Sequence, residues 1–291
     1  MVSRYKTVAV ATPYWKPGKD YLKQIVDHIE NKIEDGDLVT ISEKAISTAL
    51  GNILDESAVQ PSHFARFLAK YWMRVVWGYV LGPLCRLRKK TIQRFRSYPI
   101  EEGSIHKQVA LEHAGILQAL MPGSEGGIDV SNLPYFYVSL PLINAPQIAE
   151  GIRRHIRFKM GKNVLVMIVD TDKTYSLRGL HFTPRPKPVK GIRSFGGFLA
   201  YVVGRFFKMN RKATPVAVAG SKMQIEEALE AAEIANRVRG FGAGRTVWDV
   251  AQTFKVPITC VTWGMLDKVE HKPIVIVKRL KARSFEDTVR N

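Results

Sequence analysis

Residues 125 to 132, Glu-Gly-Gly-Ile-Asp-Val-Ser-Asn, set a carboxylate (Asp129) and an amide (Asn132) three positions apart behind a glycine pair. Glycines let backbone come close to a ligand, so this spacing can deliver both groups to one small molecule. A second acidic cluster, Val169-Asp170-Thr171-Asp172, closes the apolar run Val164 to Val169. That run reads as a buried strand, and open α/β sheets hold ligands beyond the carboxyl ends of their strands. Two oxygen-rich corners in a very basic chain point to a Mg2+ or Mn2+ ion holding a nucleotide phosphate, with Asp129, Asp170 and Thr171 as its half-shell. The structural alternative is that both aspartates cap turns or helix starts.

A third segment, Gly240-Phe-Gly-Ala-Gly-Arg-Thr246, has the composition of a phosphate cradle, in which successive amides converge on an anion. Gly240, Gly242, Gly244 and Arg245 are its candidate nucleotide contacts. It departs from a Walker loop, which needs a preceding strand and a lysine; a helix C-cap followed by a loop is the plain alternative. Lys44, after a short strand, is either a phosphate contact or a surface lysine. The seven histidines show no metal spacing, and no catalytic residue is singled out.

The elements that must position these groups follow from periodicity. Thr7 to Ala11 alternates as a strand, and Asp20 is placed to cap a helix through Ile25, Ile29 and Ile33. Leu38 to Ile41 is the next strand, followed by a helix from Ser42 towards Gly51. Glu112 to Leu120 and Ile148 to Ile156 read as helices, Phe136 to Leu140 as a strand. The alternating prolines at 184, 186 and 188 make residues 183 to 190 a loop or an edge. Val216 to Ala219, Ile258 to Val261 and Ile274 to Val277 read as strands, with a helix from Ile225 to Val238.

The chain has 291 residues and a formal net charge of +18. Residues 57 to 100 contain nine Lys or Arg and no acid, and residues 173 to 225 contain eleven and no acid. Such fields attract polyanions: nucleotides, phosphorylated cofactors, RNA or an anionic membrane. Residues 61 to 98 carry a broad aromatic face, Phe64 to Leu84, interspersed with Arg66, Lys70 and Arg74. Three readings stay open there: a helix against a partner subunit, a core helix with a solvated basic face, or a helix lying in a membrane plane. The two cysteines have no metal or redox spacing, and the polar start lacks a signal-peptide core, so a cytoplasmic protein is expected.

Taken in order, these motifs resemble the gamma-glutamyl ligase (CofE-like) family that includes coenzyme F-420-0:L-glutamate ligase. The resemblance is carried by Thr12 to Asp20, by Asp35 to Lys44 with Ala45 to Gly51, by Gly127 to Asn132, by Ser139 to Leu142 and by Met167 to Thr171. It implies an α+β fold with mixed sheets in two intertwined lobes, as a single unit over residues 1 to 291 with an insertion near 61 to 98. It also implies metal ligation by Asp129, Asp170 and Thr171, GTP contact by Asn132, and nucleotide or phosphate contact near Glu43 and Lys44. The implied reaction is GTP-driven addition of L-glutamate to a phosphate-bearing cofactor through an acyl phosphate, performed by a homodimer. The chain departs from the family at Thr48, where a lysine is expected, and in the late glycine loop, where Phe241, Ala243 and Arg245 replace acids. Arg178-Gly179 stands where an arginine-bearing glycine segment is expected. A catalytically diverged member that binds nucleotide, RNA or a protein partner is the alternative.

Overall fold

A computed structural model describes residues 5–279. Nine strands are present among them: β1 (Tyr5–Thr12), β2 (Leu38–Ser42), β3 (Ile53–Asp55), β4 (Tyr137–Ser139), β5 (Leu165–Leu177), β6 (Leu180–Thr183), β7 (Arg193–Ser194), β8 (Asn210–Ala219) and β9 (His271–Arg279). Seven form one mixed sheet in the order β1-β9-β2-β5-β6-β7, with β8 pairing β5. The register puts β8 along one side of β5, while β2 and then β6 share its other side. β3 and β4 make a separate two-stranded sheet. Helices around a mixed sheet give the expected α+β fold.

The centre of the sheet is the parallel pair β2–β5, in which Leu38 faces Leu165 and Ser42 faces Val169. Strands covered on both faces read as continuous apolar runs rather than alternating ones, and Leu-Val-Thr-Ile followed by Leu-Val-Met-Ile-Val fits that rule. On one face, helices Tyr21–Ile29 and Ala145–Met160 bury Ile25, Ile29, Ile152 and Ile156 against Val39, Ile41, Val166 and Ile168. On the other, helix Ile225–Arg239 brings Ala228, Ala231, Ala232 and Ala235 onto Met167, Val169 and Val275. Those alanines recur at helical spacing, and their small side chains let the helix lie close to the sheet. Asp20 caps the first helix as expected, accepting from the Lys23 N–H at 3.0 Å.

The region between β3 and β4 is helical. Helix His63–Phe67 runs into Leu68–Leu81, a segment wound at π pitch, with the Gly82 N–H donating to the Trp77 carbonyl. Leu68, Met73 and Gly78 recur every five residues on its buried side, the interval that this wider winding brings into line. Phe64, Phe67, Tyr71, Val75, Tyr79 and Val80 are exposed on the other side. Helices Lys89–Arg96 and Ile100–His113 complete the layer. Among the described residues no helix is long and apolar enough to cross a membrane.

Three sequence expectations are corrected. Glu112 to Leu120 is not one helix: Gly115, at φ +95, separates Ile100–His113 from Ile116–Ala119. Ile258 to Val261 forms no strand. The strand ending at Val169 instead runs on to Leu177, through irregular pairing with β8 between Ile168 and Lys173. That irregularity falls on the acidic corner, where extra residues bend the strand and turn its side chains out of the regular alternation.

Candidate functional site

The parallel pair explains the first half of the site. Ser42 and Val169 are register partners, so the residues that follow them, Glu43 and Asp170, emerge side by side at the carboxyl end of the sheet. Glu43 opens helix Glu43–Ala49, and its buried carboxylate accepts from the Leu142 N–H at 2.8 Å. Between Glu43 and Asp170 lies a group that sequence reasoning missed. Arg185 is almost fully buried; one guanidinium nitrogen donates to Glu43 Oε1 at 2.5 Å and the other to Asp170 Oδ2. Gly127, at φ +98, lets the backbone pass so close that a Cβ there would run into this guanidinium. Arg178 and Gly179, by contrast, form the exposed turn between β5 and β6, away from this role.

Asp129 arrives from the opposite side, held by backbone bridging to Ser139 (3.2 and 3.0 Å). Lys44 Nζ donates to Asp129 Oδ2 at 2.9 Å, to the Ser131 hydroxyl at 2.9 Å and to the Ser131 carbonyl at 2.8 Å. The Ser131 N–H donates to Asp129 Oδ1 at 2.7 Å. Lys44 is therefore no free surface lysine. The third segment closes the cleft. Asn132, at φ +54, donates to the carbonyls of Phe241 (3.1 Å) and Gly244 (2.8 Å) and accepts from the Ala243 N–H (2.8 Å). Its whole amide is thus committed to the glycine loop, and it reaches any ligand by way of that loop. Arg245 lies over the Phe241 ring, 3.9 Å from its centroid.

All ten sequence-predicted residues — Asp129, Asp170, Thr171, Asn132, Glu43, Lys44, Gly240, Gly242, Gly244 and Arg245 — line one cleft of about 260 Å³. Arg239, Tyr14 and His271 line it too and went unpredicted. Tyr14 donates to the Asn132 carbonyl and packs at a tilt against the His271 ring, with centroids 4.4 Å apart.

The electrostatics are unbalanced in favour of anions. Burial, reinforced by Asp170 and opposed by Arg185, pushes the Glu43 carboxyl up to about 7. Burial and neighbouring Asp170 raise Asp172 well above its ordinary value, and its Oδ2 has no hydrogen-bond partner among the described residues. Burial also disfavours ionised Asp129, but Lys44 and Ser131 outweigh it and hold its pKa low. Burial lowers Arg239 to about 10 against the pull of Asp170 and Asp129, which leaves it cationic at neutral pH. Lys44, Arg185, Arg239 and Arg245 therefore face acids of which two hold their protons more tightly than usual. Such a site has room for phosphate charge.

As a metal site the donor set is partial. Asp170 Oδ1 faces only the Thr171 hydroxyl, 3.5 Å away, while its other oxygen and both oxygens of Asp129 already accept hydrogen bonds. Among the described residues no group of three or more His, Cys, Asp or Glu encloses a cation. The set fits a hard ion whose shell is completed by phosphate and water rather than by protein.

The sequence profile of F420-0:gamma-glutamyl ligase matches residues 9–235. The chain belongs to this family. An uncharacterised protein of Methanocaldococcus jannaschii is 36% identical over 282 residues, covering 92% of this chain and 94% of that protein. The coenzyme F420:L-glutamate ligase of Methanopyrus kandleri is 26% identical over 156 residues, 54% of this chain and 55% of its own. The cleft residues from Tyr14 to Thr171 fall inside the matched family segment; Arg239 and the glycine loop follow it.

Proposed function

We infer that the protein is a nucleotide-driven ligase that makes an amide bond. A carboxylate oxygen of a phosphate-bearing acid attacks the γ-phosphorus of GTP, releasing GDP and forming an acyl phosphate. An amine nitrogen then attacks the acyl carbon; the C–N bond forms, the C–O bond to phosphate breaks, and phosphate leaves with the electron pair as the amine loses its proton. Phosphoryl transfer asks little covalent chemistry of a protein and much positioning and charge stabilisation. What supports the reading is one observation: Lys44, Arg239 and Arg245 line the cleft with a glycine loop around Asp129 and Asp170, and buried Arg185 is ion-paired to Asp170 and Glu43. Lys44 and Arg185 orient the two carboxylates, and the loop amides pinned by Asn132 are available to phosphate oxygens. Bound Mg2+ or Mn2+ would neutralise phosphate charge, with Asp170, Thr171 and Asp129 as the protein donors. Coenzyme F-420-0 with L-glutamate is the first substrate pair to assay, and the same reading makes the enzyme a cytoplasmic homodimer.

A second reading has its own observation. Lys44 and Arg185 already sit on the two acids that would hold a metal, which favours a diverged protein that binds nucleotide without turning it over. The deciding experiment is calorimetric titration of GTP, then ATP, into the full chain with Mn2+, repeated with Asp170→Asn, followed by an assay for phosphate released on adding acid and amine. Metal-dependent binding weakened about tenfold or more by the substitution, together with amine-dependent phosphate release, is expected. Binding with no release across a panel of acids supports the second reading, and absence of binding to either nucleotide overturns both.

A further inference from the structure

The helical run from His63 to Leu84 carries an apolar stripe that is open to solvent. Phe67, Tyr71, Val75, Tyr79, Val80 and Leu84 are all exposed along it. They follow one another at intervals of four or five residues. The segment Leu68–Leu81 is wound at π pitch, with bonding from i to i+5, and such a winding brings those intervals into line. At about 100° per residue, the α-helical step, Val80 would point away from Phe67. The unusual winding therefore gathers these side chains on one side, opposite buried Leu68, Met73 and Gly78.

The stripe runs through cations that have no counter-charge. Residues 57 to 100 contain nine Lys or Arg and no acid. Lys90 and Arg94 share the carboxylate of Asp249. The other seven make no ion pair among the described residues, and Arg66, Lys70, Arg86, Arg88 and Lys89 are exposed. Two cations sit directly on the stripe: Lys70 Nζ is 5.2 Å from the Tyr71 ring centroid, and the Arg96 guanidinium is 4.3 Å from that of Tyr79. Apolar bodies bordered by free cationic heads are what a surface with an apolar interior and an anionic rim selects.

Two other occupants fit less well. In a symmetric pairing of two copies through the stripe, each acid-free segment would face its own cations. Single-stranded nucleic acid stacks its bases on open aromatic faces. Here Phe67 is stacked on Phe64 at 6.3 Å, Lys70 and Arg96 lie over Tyr71 and Tyr79, and the remaining stripe residues are aliphatic. A second basic aromatic tip lies close by. Helix Phe198–Phe206 packs on the segment through Trp72–Phe198 (5.5 Å) and Trp77–Tyr201 (5.6 Å) and ends in exposed Phe206 and Phe207, followed by exposed Lys208. It belongs to the other acid-free stretch, residues 173 to 225.

We propose that the stripe docks the protein on an anionic lipid bilayer, with the π-wound segment lying in the plane of the surface. Its rings and aliphatic side chains enter the boundary between headgroups and acyl chains, and Arg66, Lys70, Arg88 and Lys89 meet the headgroup phosphates. The contact is with the surface: among the described residues no helix is long and apolar enough to cross a membrane. The docking face is separate from the cleft, shares no lining residue with it, and stands whether or not the ligase reading does.

The test is co-sedimentation of the full chain with vesicles of phosphatidylcholine alone and of phosphatidylcholine with phosphatidylglycerol in equal parts. Binding to the anionic vesicles at least about tenfold tighter than to the neutral ones is expected. Phe67→Ser with Val80→Ser, a pair that keeps every charge, should weaken it about tenfold. Lys70→Gln and Lys89→Gln should each weaken it about fivefold. Lys159→Gln with Lys162→Gln, exposed but outside both acid-free stretches, should leave it unchanged. All these positions are exposed, so the fold survives, and GTP affinity should be the same in every variant. Absence of binding, equal binding to both vesicles, full binding by the serine pair, or an equal loss in the Lys159 and Lys162 pair would overturn the proposal; the last two would reduce it to adhesion by bulk charge. Self-association in sedimentation velocity, or binding of polyuridylate, that the serine pair abolishes would give the face to a second copy or to nucleic acid and overturn it equally.

Discussion

The protein contains two buried charge networks, and they are finished to different degrees. In the helical layer, Glu56, His106, Glu125 and Lys107 satisfy one another. Burial alone would raise Glu125, yet Lys107 and His106 hold it down to about 2, and the two glutamates overcome burial to lift His106 to about 10. In the cleft, Glu43, Arg185, Asp170 and Asp172 are equally buried but incompletely paired. Among the described residues Arg185 Nε and Asp172 Oδ2 have no partner, and Glu43 is pushed up rather than down. A closed network rigidifies its surroundings, whereas unsatisfied buried polar atoms raise the energy of a site until something binds. The comparison separates scaffold from site: the first network holds the helical layer together, the second is a receptor for charge.

The largest expected effect comes from removing the cation that both cleft acids share. Arg185→Met should destabilise the fold by about 3–5 kcal/mol, the usual cost of leaving one side of a buried pair uncompensated. Urea denaturation would measure it. Adding Glu43→Gln should recover part of that loss, since a neutral amide no longer needs the guanidinium. If Arg185→Met were as stable as the parent, the cleft pairing would be dispensable and the contrast between the networks would fail.

The network of the helical layer should respond to pH in a defined window. His106 has a folded pKa of about 10 against its ordinary 6.5, so its contribution is fully present below 6.5 and is lost as pH rises through 10. Glu125, at about 2 against 4.5, contributes above 4.5 and loses that contribution as pH falls through 2. A plateau between 4.5 and 6.5 follows from this pair, with roughly 2 kcal/mol lost on the alkaline side, a discount from the full linkage because the pairs are coupled. Thermal melts across pH 6 to 10 would show it, and His106→Gln should flatten that slope. A slope unchanged by His106→Gln would assign the alkaline loss elsewhere.

Much of the cleft was legible in the sequence because its groups carry local marks. Asp170 ends an apolar run, Glu43 and Lys44 follow another, and Asp129 follows a glycine pair, so strand ends and turns announced them. Arg185 was not legible: it lies among alternating prolines that read as a loop, and its partners are 142 and 15 residues away with no shared periodicity. An arginine between two prolines was the one available signal, since flanking prolines fix the backbone that must hold it. Arg239, Tyr14 and His271 were hidden for the same reason, converging only through the sheet. Ile258 to Val261 carried strand composition, but its Val261 carbonyl accepts from the Tyr135 N–H in a loop contact, and tertiary context overrode propensity.

The smallest effect tests the link between the Asp129 segment and the glycine loop. Gly242 is at φ +58, and a Cβ there would come within 2.8 Å of Asn132 Oδ1, the atom that receives the Ala243 N–H. Gly242→Ala should therefore cost about 1–2 kcal/mol of stability from the left-handed backbone alone. Its effect on nucleotide affinity should exceed what that loss explains, because the displaced Asn132 frees the carbonyls of Phe241 and Gly244 and lets the loop amides swing away from the cleft. A loss of nucleotide affinity no larger than the stability loss explains would mean that Asn132 is not the clasp of the phosphate side.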